Sequence, residues 1–181
     1  MLVYDDVLAD PEAYRAAVLA RPFGDQVVGP DVFHGIQLDE DETFPGWIVG
    51  RFPQLTPTLS FFRQSPLGQR EPNYIHTDGD MGQWTALLYL NPRPDPGDGT
   101  IFWRHVSGAL GSDAPDDVAL LDNRQTWKDL TQWEPVGHVD AKFGRALLFE
   151  ADRFHSRAIA KNYGTGDDAR LVQVVFGLGA L

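Results

Sequence analysis

The chain contains no cysteine. That absence removes disulfides, thiolate metal ligands and cysteine nucleophiles together, so any metal must rest on His, Asp and Glu. Histidine is also scarce, with five in 181 residues. Positive charge is in short supply: 15 Lys and Arg stand against 26 Asp and Glu, a formal net charge of -11. Such a surface repels phosphate backbones, and no cluster of Lys and Arg offsets it, so no nucleic-acid partner is expected. No apolar run reaches the roughly 18 residues of a membrane span. Met1 to Asp6 carries acid where a secretory signal carries base. The expectation is a soluble, cytoplasmic protein with no membrane partner, its oligomeric state left open.

What is present points to strands. With 43% hydrophobic residues the chain can build one substantial core, and 1–181 reads as a single domain. Gly 18 and Pro 13 separate short aromatic and β-branched runs, a texture that suits a sandwich or barrel. Asp10-Pro11-Glu12 starts a helix, since Asp caps free amides and Pro is tolerated in the first turn; Pro22 stops it after about Arg21. The stretch from Val27 to Pro57 gives no clear pattern. Strands are expected near Thr58 to Gln64, Asn73 to Asp78, Trp84 to Asn91, Thr100 to Val106, Glu134 to Asp140, Arg145 to Glu150, His155 to Ala160 and Arg170 to Phe176. Eight such strands fit a jelly roll. An insertion at about 107–133 places Val118, Leu121, Trp127 and Leu130 at helical spacing, and is long enough to form a lid.

His76-Thr77-Asp78 would present an imidazole and a carboxylate from one face of a strand. The spacing alone is weak, because His138-Val139-Asp140 repeats it. The residues downstream distinguish the first: a Gly79-Asp80-Met81-Gly82 turn, then Leu88-Tyr89-Leu90-Asn91, then Gly97-Asp98-Gly99-Thr100-Ile101-Phe102. Gly144-Arg145-Ala146-Leu147-Leu148-Phe149, His155 and Arg170 come later. As an ordered set covering residues 58 to 178, these motifs resemble the 2-oxoglutarate/Fe(II) dioxygenase superfamily, particularly its prolyl-4-hydroxylase-like branch.

The resemblance implies a mainly β, double-stranded β-helix core. It puts His76 and Asp78 on the second core strand and His155 on the seventh, its neighbour. Two imidazoles and a carboxylate on one face of an octahedral ion leave three positions open, the geometry of non-haem Fe(II) oxygenases. A non-metal capping pair, and a rim histidine at His155, are the plain alternatives. By resemblance Arg170 pairs with the far carboxylate of 2-oxoglutarate, for which a guanidinium fork is well shaped, and Tyr89 adds its hydroxyl. The family often has Ser or Thr two residues after this arginine; here Val172 stands there. The resemblance also puts His138 and Asp140 in the sheet opposite the metal, as a structural or solvated pair. Arg157 shares a face with His155 and reads as a rim charge, with an acidic substrate as the alternative. His105 reads as a packed histidine, His34 has no motif around it, and Trp84, Trp103 and Trp127 read as core or lid packing.

The implied activity is oxidation by O2 of an unactivated C–H bond in a small molecule or amino-acid side chain, with 2-oxoglutarate converted to succinate. Two other classes stay open. A cupin-like metalloenzyme would use the same metal ligands without Arg170, and a non-catalytic jelly-roll binding module would need neither.

Overall fold

The first helix forms where Asp10-Pro11 predicts it. In the computed structural model, which describes residues 1–69, 74–111, 130–158 and 163–181, the Asp10 carboxylate accepts a hydrogen bond from the Ala13 amide at 2.9 Å. Helix α1 (Pro11–Leu19) then buries Tyr14 and Val18. Among the described residues the remaining elements, two short 3-10 turns aside, are strands with one further helix. They are β1 (Leu2–Tyr4), β2 (Gly24–Val28), β3 (Asp31–Leu38), α2 (Thr43–Arg51), β4 (Thr56–Ser65), β5 (Trp84–Tyr89), β6 (Gly99–His105), β7 (Trp133–Asp140), β8 (Ala146–Glu150), β9 (His155–Arg157) and β10 (Arg170–Leu178).

The strands make a seven-stranded sheet in the order β1-β8-β5-β10-β4-β3-β2 and a three-stranded sheet in the order β7-β6-β9. Every pairing is antiparallel. Period-two alternation sorts the side chains of the larger sheet. On one face Tyr89, Leu147, Phe149, Val172, Val174 and Phe176 meet Phe102 and Val139 from the smaller sheet. On the other, Trp84, Leu88, Leu171 and Val175 pack with Tyr14, Val18, Phe44 and Ile48 of the two helices. The mainly β jelly roll is thus a two-sheet core with α1 and α2 on its outer face. Gln173, fully buried on that face, accepts from the Tyr14 hydroxyl at 2.7 Å and donates to Asp39 and Ser60. This satisfied network ties α1 and the end of β3 to the sheet.

Most expected strands lie within a residue or two of their observed bounds. The exceptions are informative. No strand spans Asn73 to Asp78: Asn73 lies outside the described residues, and His76 forms only an isolated bridge with His155. The strand begun at His155 ends at Arg157. The hairpin β2–β3 and helix α2 went without a sequence signal, because every β2 residue is exposed and α2 contains a proline and two glycines. Burial of Phe44, Pro45 and Ile48 holds α2 against its poor propensity. The helix expected within the insertion falls mostly at 112–129, outside the described residues, as does Trp127; Leu130–Gln132 is a single 3-10 turn. Among the described residues no helix is long and apolar enough to cross a membrane.

Candidate metal centre

Two backbone contacts bring the chemistry together. His76 and His155 exchange amide-to-carbonyl hydrogen bonds at 3.0 and 2.9 Å, and the Asp78 amide donates to Ala151 at 2.6 Å. The His76-Thr77-Asp78 segment is therefore pinned beside the start of β9 without being a strand of its own. The ligand atoms of His76, Asp78 and His155 all lie within 4.8 Å of one another. The Nε2 of His155 is 3.3 Å from one Asp78 oxygen, and the Nε2 of His76 is 3.6 Å from the other.

Each ring is oriented from behind. The Nδ1 of His155 faces the Arg153 carbonyl at 2.9 Å, and that of His76 faces the Tyr74 carbonyl at 3.2 Å. A carbonyl only accepts, so each Nδ1 donates its proton there, and each Nε2 is left directed at the common point as the nitrogen that would ligate. The Thr85 hydroxyl donates to Asp78 at 2.8 Å, and the Phe149 ring packs against His155 with centroids 4.7 Å apart. Burial opposes ionisation of Asp78, but His155, His76 and the Thr85 hydroxyl together bring its carboxyl down to about 2. Burial likewise disfavours the charged form of His155, yet the adjacent Asp78 carboxylate leaves its pKa raised. His155 and Asp78 are enclosed, whereas His76 is 31% exposed, so the cluster opens on the His76 side. Two imidazole nitrogens and one ionised carboxylate, converging with one side open, fit a divalent transition ion, which would bind with loss of any proton held on those nitrogens.

Arg170 begins β10 and is buried among the apolar side chains that face the smaller sheet. Its Nε donates to Asp98, 3.1 and 3.4 Å from the two carboxylate oxygens. Among the described residues its terminal nitrogens have no partner. Burial pulls the guanidinium pKa down, but Asp98 and the nearby Tyr89 leave it raised. Tyr89 does not bond Arg170; its hydroxyl pairs with Thr100 at 2.7 Å, and burial pushes it up to about 12, so it stays protonated. Thr85 and Tyr89 point from the same face of β5, about 13 Å apart along the strand by its rise per residue. The metal ligands and the arginine thus sit toward opposite ends of one interior.

The other candidates fall away from this interior. His138 and Asp140 lie on β7, in the same sheet as His155 and not in the opposite one as expected. Their register with Ile101 and Gly99 turns them to the outer face, where they are 37% and 75% exposed. His105 packs edge-on against Trp133, and His34 pairs with Asp25 at the surface. Arg157 does share the face of His155, by its register with Thr100, and its guanidinium donates to the Gln69 carbonyl at 2.9 Å. Trp84 and Trp103 are buried. Sequence reasoning missed Thr85, Asp98, Tyr163 and Asn91. Asp98 carried a signal, an acid between two glycines at the mouth of a strand, and Asn91 ended the Leu88-Tyr89-Leu90-Asn91 motif; Thr85 and Tyr163 carried none.

No protein-family model and no curated protein matches this sequence. Solved structures do. The chain is similar to the non-heme alpha ketoglutarate dependent carbocyclase SnoK from nogalamycin biosynthesis, with 16% identity over 96% of this chain and 78% of that one and a TM-score of 0.61. It is similar to a prolyl hydroxylase from Trichoplax adhaerens in complex with a hypoxia inducible factor peptide, with 14% identity, 97% and 82% coverage and a TM-score of 0.59. HygX from Streptomyces hygroscopicus, with nickel and 2-oxoglutarate bound, gives 16% identity, 96% and 80% coverage and a TM-score of 0.53. The protein has the fold of the 2-oxoglutarate/Fe(II) oxygenases.

Proposed function

We propose that the protein is a non-haem Fe(II)- and 2-oxoglutarate-dependent dioxygenase that oxidises, by hydroxylation or a related outcome, a small molecule or amino-acid-type substrate. The observation that carries this reading is the pairing, in one interior, of an open His76-Asp78-His155 cluster with a buried arginine whose terminal nitrogens have no protein acceptor among the described residues. His76, Asp78 and His155 would hold Fe(II), and Arg170 would receive the far carboxylate of 2-oxoglutarate. When bound, the metal and 2-oxoglutarate supply O2 activation coupled to loss of carbon dioxide and formation of succinate.

The chain's own residues do the rest. The Tyr74 and Arg153 carbonyls fix the imidazole tautomers, and Thr85 holds the Asp78 carboxylate. The apolar wall of Phe149, Val174 and Phe176 keeps water from the space beside them. Val172 offers no hydroxyl to the cosubstrate, so Arg170 carries more of that recognition. The dioxygenases of this fold act on substrates as different as those of a carbocyclase and a prolyl hydroxylase, so the fold does not select among substrates. The test is anaerobic titration of the Fe(II)-loaded protein with 2-oxoglutarate. A visible charge-transfer band, and succinate on admitting O2, are expected. Metal binding without either would favour a cosubstrate-independent cupin.

A further inference from the structure

Behind Arg170 lies a second set of residues that neither touches the metal cluster nor packs as ordinary core. Asp98 is buried, its side chain 5% exposed, and it accepts from Arg170 Nε. Its other oxygen accepts from the Tyr163 hydroxyl at 2.5 Å, and that hydroxyl in turn accepts from the Asp95 amide at 3.1 Å. The turn that carries Asp98 is itself constrained. Gly97 and Gly99 both have positive φ, and a Cβ on Gly99 would lie 2.0 Å from the Val139 carbonyl oxygen. Neither the conformation nor the close approach is open to another residue there. The arginine's backbone is held as well: Asn91 accepts from the Leu171 amide at 2.7 Å and donates to the Ala169 carbonyl at 2.9 Å, bracketing Arg170 on both sides.

The chemistry of this arrangement is directional. A guanidinium has two useful edges, and a carboxylate engaging Nε occupies one side of the fork. We infer that Asp98, braced by Tyr163, is a positioning residue that locks the Arg170 side chain so that its terminal nitrogens present to the distal carboxylate of a dicarboxylic 2-oxo acid. Selection of a diacid over a monoacid cosubstrate then depends on residues that contact neither. A lone buried arginine with several rotatable bonds would have to be ordered by each ligand anew, whereas this one is ordered beforehand. The inference rests on the 2-oxoglutarate reading.

The test compares two five-carbon ligands on the anaerobic Fe(II)-loaded protein, 2-oxoglutarate and 2-oxopentanoate, which lacks the distal carboxylate. Their dissociation constants are read from the charge-transfer band. Asp98→Ala should weaken 2-oxoglutarate about ten-fold or more, by analogy with the outer-shell partners of metal ligands, and leave 2-oxopentanoate unchanged. Asp98→Asn keeps an oxygen for the Nε–H and should recover most of the loss. Tyr163→Phe should give a smaller loss, again for the diacid alone. If Asp98→Ala does not fold, the other two variants decide. An unchanged ratio of the two constants in Tyr163→Phe, an equal loss for both ligands, or failure of Asp98→Asn to recover binding overturns the inference. So does 2-oxoglutarate binding more tightly to Asp98→Ala than to wild type, since Asp98 would then merely offset the arginine's charge. Wild-type protein that gives no band with 2-oxoglutarate removes the dioxygenase reading and this inference together, whereas a wild-type band with unaltered ratios in the variants removes the inference only.

Discussion

Replacing Arg170 with alanine should destabilise the fold even with no ligand present. The Arg170 and Asp98 side chains are 9% and 5% exposed, so the substitution strands a buried carboxylate that, among the described residues, keeps only the Tyr163 hydroxyl. Breaking such a pair from one side costs about 3 to 5 kcal/mol. In a domain of this length about 4 kcal/mol lowers the Tm by roughly 8 to 16 °C. Urea melts of the metal-free wild type, Arg170→Ala and Arg170→Ala/Asp98→Asn at pH 7 check this. The double variant should be the more stable of the two variants, because no charge is stranded. An Arg170→Ala variant as stable as wild type, or a double variant no more stable than Arg170→Ala, would refute the reasoning.

Four further outcomes are expected. The protein should bind one divalent transition ion per chain, lost in His155→Ala and Asp78→Ala and retained in His138→Ala/Asp140→Ala, as read by plasma emission. Thr85→Val removes the hydroxyl that holds Asp78 while keeping the shape, and should weaken metal binding by about 10- to 100-fold in a competition titration. Because Asp78 raises the pKa of His155 in the metal-free protein, protons compete for that nitrogen from above the ordinary histidine value. Metal affinity should therefore fall as pH is lowered through that range, and Zn(II) or Co(II) titrations at several pH values read it; a flat profile would count against His155 as a ligand. Arg170→Ala should weaken 2-oxoglutarate by about 2 to 5 kcal/mol with Fe(II) kept in place, and Arg170→Lys should recover only part, since an ammonium lacks the fork.

Much of this protein was legible in the sequence because its signals are local. The alternation of apolar residues gives β5, β8 and β10 their two faces, and Asp10-Pro11 starts α1 with groups a few residues apart. The absence of cysteine leaves imidazole and carboxylate as the metal donors on offer. The order of His76, Asp78, Tyr89, His155 and Arg170 pointed to the fold. What the sequence could not decide depends on residues distant along the chain. Asp98 meets Arg170 across 72 residues and Tyr163 across 65, and no periodicity connects them. Helix α2, with its proline and glycines, forms only because the sheet gives Phe44 and Ile48 a place to be buried. His138-Val139-Asp140 has the same His-x-Asp spacing as the metal motif, yet its register with β6 turns it to solvent. His76-Thr77-Asp78 is not in a strand at all, yet two hydrogen bonds with His155 bring its imidazole and carboxylate to one point. Propensity and pattern act over a few residues, whereas the meeting of a ligand with its partners is set by sheet register and burial, which exist only once the whole chain has folded.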